Sequence, residues 1–191
     1  MRDNQHIVTA FDDDLLALNS SLQDLGKMAI TQFELSIDAL ATQHQNTLDK
    51  IIKDDAKLDE LEAEIHEKAL EIIAVRSPLA KDLRHVLVAL KVATILERTG
   101  DYARNIANRT KVIATAGNEN IPGVNIGRMG QVTRDMLHDV MRAYATRDAD
   151  KALDVWRRDI EVDHMHTAFY KEVLASMSRD PNVVATGAHL L

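Results

Sequence analysis

The chain has 191 residues, 46% hydrophobic but only 4% aromatic, with a formal net charge of −7 at pH 7. That supplies one or two cores packed by Leu, Ile, Val, Ala and Met, a mixture suited to helix bundles rather than β-sandwiches. An acidic chain without a Lys/Arg run has no overall attraction to nucleic acid; it lacks the ~18-residue apolar stretch of a membrane span and the apolar region of a signal peptide, and without Cys any metal must be held by oxygen and nitrogen, so a cytoplasmic protein is expected.

Seven Gly and three Pro leave few turns, so the elements are long. Phe11, Leu15, Leu18, Leu22, Leu25 and Ala29 step by four and three, the stripe of an amphipathic helix. The stripe then shifts through Phe33 and Ile37 to Leu40, a stutter, and helix 1 is predicted from about Thr9 to His44. Asn46-Thr47 caps helix 2, which rests on Leu58, Leu61, Ile65 and Ile72 and reaches about Val75. Ser77-Pro78 reads as cap and first residue of helix 3, which runs to about Thr115. Gly117, Gly123, Gly127 and Gly130 then fall close together with Pro122 and three asparagines. This break is the predicted linker, 117–127, between a first bundle over 1–116 and a second over 128–191. Helix 4 rests on Met129, Val132, Met136, Val140 and Ala143. Asp148 caps helix 5, and Asp180-Pro181 opens a short helix 6. Trp156 and the Met residues are expected in the core.

The halves are related. Asp55, Asp59 and Glu62 of helix 2 have the spacing of Asp159, Asp163 and His166 in helix 5, 104 positions on, and Arg76-Ser77-Pro78 has that of Arg179-Asp180-Pro181. An internal duplication follows. The fold class is all-α, a tandem repeat of two antiparallel three-helix bundles, the second truncated in its last helix. Such a truncation would leave an apolar strip exposed along helices 4 and 5.

On helix 3, Leu79, Leu83, Leu87, Leu90 and Thr94 form a stripe that Glu97, Asp101 and Asn105 continue. A core position with a carboxylate needs a proton, a partner or a metal. Asp55, Asp59, Glu62 and His66 make a matching row on helix 2. Four facing carboxylates repel unless a cation lies between them, and hard oxygen donors suit iron, manganese, magnesium or calcium better than zinc. The alternative is that Glu97 and Asp101 pair with Arg84 or Lys91. Gly100, inside helix 3, either permits a close helix contact or opens room for a metal cluster. Glu161-x-x-His164 has the spacing of di-iron bundles, so a carboxylate-bridged di-metal oxidase is a rival reading; it lacks a matching pair on another helix. A metal-free helical adaptor is the third. No phosphate loop, nucleophile elbow or Cys nucleophile is present, and no enzyme is expected.

The strings Ala80-Lys81-Asp82-Leu83-Arg84, Ala89-Leu90-Lys91 and Leu96-Glu97-Arg98-Thr99-Gly100-Asp101-Tyr102-Ala103-Arg104-Asn105-Ile106-Ala107 resemble those of the PhoU family. The resemblance implies helical bundles, commonly homodimeric, that bind divalent or trivalent metal ions, including multinuclear iron or zinc clusters, through acidic motifs. It also implies a non-enzymatic role in phosphate transport and homeostasis, between the ATPase subunit of a phosphate ABC transporter and a sensor histidine kinase, with negative regulation of phosphate metabolism and membrane association only through partners. The ligands it implies are Glu97 and Asp101 with Asp55 and Asp59, Asn105 as a further ligand, and Asp159 and Asp163 in the second copy. The family's second motif on helix 6 has no counterpart here.

Overall fold

The computed structural model of the chain describes residues 2–115 and 124–191, with side chains described from Ala10 and from Ile126 onward. Among these residues there are helices and no strand. They are α1 (Arg2–Thr42), α2 (Gln45–Arg76), α3 (Ala80–Thr115), α4 (Val124–Thr146), α5 (Ala149–Arg179), a 3-10 turn (Pro181–Val183) and α6 (Val184–Leu190). Most of the expected linker, up to residue 123, lies outside the described residues, and Val124 already opens α4.

The duplication is visible in the backbone. α1 ends at Thr42 and α4 at Thr146, 104 residues apart, and α2 and α5 begin at Gln45 and Ala149 with the same offset. The left-handed residues that close α1 and α4, Gln43 (φ 52°) and Arg147 (φ 55°), also correspond. At the α4 end the Asp148 amide reaches the Ala143 carbonyl and the Arg147 amide that of Tyr144, a Schellman closure. Asp148 then starts α5, its Oδ1 accepting from the Lys151 amide at 2.9 Å, as expected of a cap.

The two α2–α3-type junctions differ. Ser77 does not cap α3: at φ 47° it donates its amide to Ile73 and closes α2, and Pro78 follows the stop. Asp180 does cap, accepting from the Asn182 amide at 2.9 Å with Pro181 at the first position of the 3-10 turn.

The chain forms two compact units. The first combines Met1–Ala29 with Asp54–Asp101. Its core takes Leu18, Leu22, Leu25 and Ala29 from α1, Leu58, Ile65 and Ile72 from α2, and Val86, Ala89, Ala93 and Leu96 from α3. Polar links run along its edges: Arg76 Nε to Asp14 Oδ2 at 2.9 Å, and Lys68 Nζ to Ser21 Oγ at 2.8 Å. The second combines Ile30–Lys53 with Tyr102–Leu191. There Ala39, Leu48, Ile51, Ala103 and Ala107 form one buried cluster. Val155, Phe169 and Val173 carry the buried side of α5, which packs on α4 and α6.

Several expectations about the core need correction. Leu79 is 80% exposed and Leu87 50% exposed, so the large-residue stripe of α3 is not its buried face. The buried positions are Val86, Ala89, Ala93, Leu96, Gly100, Ala103, Ala107 and Thr110, stepping by three and four. Small residues let helix backbones approach, and the large ones move to the flanks. The stutter in α1 is also absent: Gln32, Ser36 and Ala39 keep the step from Ala29. Ile37, which suggested the shift, faces α4, where it would clash with any side chain at Gly130. Trp156 is 72% exposed rather than core. It belongs to an uncovered row on α5 with Leu153 and Ile160.

Candidate metal centre

The acids of α3 sit beside the small-residue seam, not in it. Glu97 and Asp101 are half-buried, on the flank that also carries half-buried Leu83 and Leu90. That position keeps some water while placing the carboxylates against α2. On α2 the buried face steps through Leu48, Ile51, Asp55, Leu58, Glu62, Ile65, Ala69 and Ile72. Asp55, only 5% exposed, therefore occupies the same heptad position as Leu48 and Ala69. Asp55 and Glu62 of the acidic row lie on that face, whereas Asp59 is exposed beside it.

Within the first unit, α2 and α3 meet through polar groups at this level. Thr94 Oγ1 donates to Glu62 Oε1 at 3.1 Å and to the Leu90 carbonyl at 3.3 Å. His66 Nε2 lies 3.2 Å from the same Glu62 oxygen. Glu97 is held above the ordinary carboxylate range: burial contributes most, then the charges of Asp101, Asp59 and Glu62, and a hydrogen bond shared with Asp101. The charged groups acting on Glu97 are all acids, and neither Arg84 nor Lys91 is among them. Ionising it adds charge to an already negative locus, so it keeps a proton more readily than a free carboxyl. A cation could fill the role of that proton.

The donor chemistry thus fits a hard cation. The positions are not drawn together for one: among the described residues, no group of three or more His, Asp or Glu stands close enough to hold a metal ion.

Of the residues expected at the site, Asp101 and Asp59 are among the charges acting on Glu97. Glu62, which the spacing placed in the α2 row but the resemblance did not carry over, joins them; its signal was the seven-residue step from Asp55. Asp55 is buried on α2 yet is not among the groups acting on Glu97. Asn105 is exposed on α3, and Asp159 and Asp163 are exposed on α5. Glu161 and His164 are exposed as well. Gly100 belongs to the seam: a Cβ there would run into Leu58 Cδ1, so its missing side chain accommodates a core leucine.

Fold and site together define an all-helical bundle protein built from a duplicated three-helix unit, with an acidic cluster between the second and third helices of its first copy. A family model described as the PhoU domain matches twice, over residues 22–110 and 126–191. The chain is 36% identical over 98% of its length to a phosphate-specific transport system accessory protein PhoU homolog of Caulobacter vibrioides, covering 81% of that protein. It is 31% identical over 95% of its length to the phosphate-specific transport system accessory protein PhoU of Escherichia coli, covering 75% of it. The crystal structure of PhoU from Pseudomonas aeruginosa superposes with a TM-score of 0.88 at 27% identity, over 94% of this chain and 90% of that one. The chain belongs to the PhoU family.

Proposed function

We propose that this protein regulates phosphate uptake as an accessory component of a phosphate-specific transport system. The observation that carries the reading is the similarity over nearly the whole chain to proteins named for that role. Its finer form is a non-enzymatic cytoplasmic homodimer acting between the transporter ATPase subunit and a sensor histidine kinase, and repressing phosphate-responsive genes when phosphate is plentiful. No helix among the described residues is long and apolar enough to cross a membrane, which agrees with contact to the transporter through partners. The two copies would occupy 1–116 and 128–191, close to the two matched segments.

The second element of the reading is a cation held by Glu97, Asp101, Asp59 and Glu62. The like-charge crowding around Glu97 supports it. A bound iron, manganese or zinc ion would neutralise the cluster and link α2 to α3. Asp55 would support this site from the α2 seam, and Asn105, Asp159 and Asp163 would contribute only if exposed side chains were recruited.

Deleting the gene in its host and following a phosphate-repressed phosphatase reporter tests the regulatory role. The expected result is expression at high phosphate, restored to repression by the wild-type gene. An unchanged reporter would overturn it. Retention of the transporter ATPase and of the kinase on immobilised protein tests the finer form, and failure of both refutes that form alone.

A further inference from the structure

The outward side of α3 in the first unit carries a second regular row, unrelated to the acidic cluster. Arg84, Lys91 and Arg98 recur every seven residues, and Val88 and Ile95 fall between them, so the row steps by four, three, four and three. All five are exposed, Val88 by 44% and Ile95 by 60%, and Leu87 beside them by 50%. The spacing is that of a coiled-coil seam, with basic residues at one of its two core positions and apolar residues at the other. Isolated exposed apolar residues need no explanation, but a straight seam over four helical turns is the pattern with which one helix receives another.

Its charge specifies the occupant. The chain has 30 Asp and Glu against 23 Lys and Arg, yet between Arg84 and Arg98 α3 exposes three basic side chains and no acid. The one carboxylate in that span, Glu97, is half-buried on the α2 side. Arg84 and Lys91 can lay their stems over the neighbouring Val and Ile while their charges reach outward. A basic seam would repel a basic helix and attract an acidic one.

We propose that the Arg84–Val88–Lys91–Ile95–Arg98 face is a docking surface for an acidic amphipathic helix of a partner protein. The seam is about 21 Å long, which matches a partner segment of about four turns. The surface goes beyond the phosphate role and does not rest on the cation reading, because none of its residues is among the groups acting on Glu97.

The test uses the full chain and two fluorescently labelled synthetic peptides of one composition. In the first, Leu recurs at three- and four-residue steps with Glu on the flanks; in the second the same residues are scrambled so that no apolar face forms. Fluorescence anisotropy at low salt should show the amphipathic peptide binding roughly ten-fold more tightly than the scrambled one, with affinity falling as salt is added. Arg84→Glu with Lys91→Glu should weaken it by roughly ten-fold, and Ile95→Ser should weaken it separately. These side chains are exposed, and an unchanged circular dichroism spectrum verifies that each variant is folded. Equal binding of the two peptides, or wild-type affinity in the charge-reversed variant, would overturn the proposal. So would a shift in emission of the single Trp156 with the α3 variants unaffected, because the peptide would then be seated on α5.

Discussion

α2 and α5 carry the same acidic spacing in different surroundings. On α2, Asp55 is buried and the exposed Asp59 acts on a half-buried Glu97 of α3; on α5, Asp159 and Asp163 are both exposed. Spacing alone therefore does not define a site. On α2 it is the neighbouring α3 that matters: Glu97 is half-buried among Asp101, Asp59 and Glu62, where like charges and partial burial make ionisation costly.

The comparison can be broken most directly through packing. Leu58 is fully buried and its counterpart Val162 is half-buried. Leu58→Ala should cost about 2–5 kcal/mol in chemical denaturation, and Val162→Ala about 1 kcal/mol. Equal losses would mean that the α2 seam is not the more tightly packed one. Next comes Gly100. Gly100→Ala and Gly127→Ala both gain helix propensity, but only the first meets Leu58, whereas Gly127 has open space around it. The difference between the two variants should be about 1–3 kcal/mol, to the disadvantage of Gly100→Ala, read as a difference in urea midpoint at constant slope.

Asp55→Ala should be more damaging than Asp159→Ala, because a buried polar residue that holds a partner leaves that partner unsatisfied. The expected costs are about 1–3 kcal/mol against less than about 0.5 kcal/mol. The smallest effect concerns pH. Glu97 binds its proton more tightly folded than unfolded, so its contribution is fully present below the ordinary carboxylate range and is lost as pH rises through its raised value. Metal-free Glu97→Gln should lack that loss and be at least as stable as wild type at neutral pH. Unfolding curves between about pH 4 and pH 8 measure it, and parallel profiles for the two proteins would remove the like-charge argument.

Much of the fold is legible in the residue pattern. Leu18, Leu22, Leu25 and Ala29 mark the buried face of α1 because large apolar residues recur there without competition. The duplication is legible because the acids repeat at an offset of 104 and the turn residues at 103, and the ends of α1 and α4 and the starts of α2 and α5 keep the offset of 104. α3 defeats that logic. Its seam mixes Val86, Leu96 and Ile113 with Ala, Gly and Thr, while Leu79 and Leu87 are exposed, so choosing the largest apolar residues selects the wrong face. The same preference for size places Trp156 inside, where it is not. For the site, Glu97, Asp101 and Asp59 are legible as acids in facing rows, and Glu62 through its step from Asp55. The half-burial of Glu97, Asp101 and Glu62, and the exposure of Asp59, Asn105, Asp159 and Asp163, depend on which neighbours each helix has. Helical spacing does not encode that.

The cation proposed for Glu97, Asp101, Asp59 and Glu62 is supported by the like charges around Glu97. Metal analysis of purified, untagged protein after loading with iron, manganese or zinc and desalting tests it most directly. The wild type and Asp159→Asn with Asp163→Asn should retain the same stoichiometric metal, and Glu97→Gln with Asp101→Asn should fall to background. A wild type that retains no metal, or a Glu97/Asp101 variant that retains as much as wild type, would contradict the account.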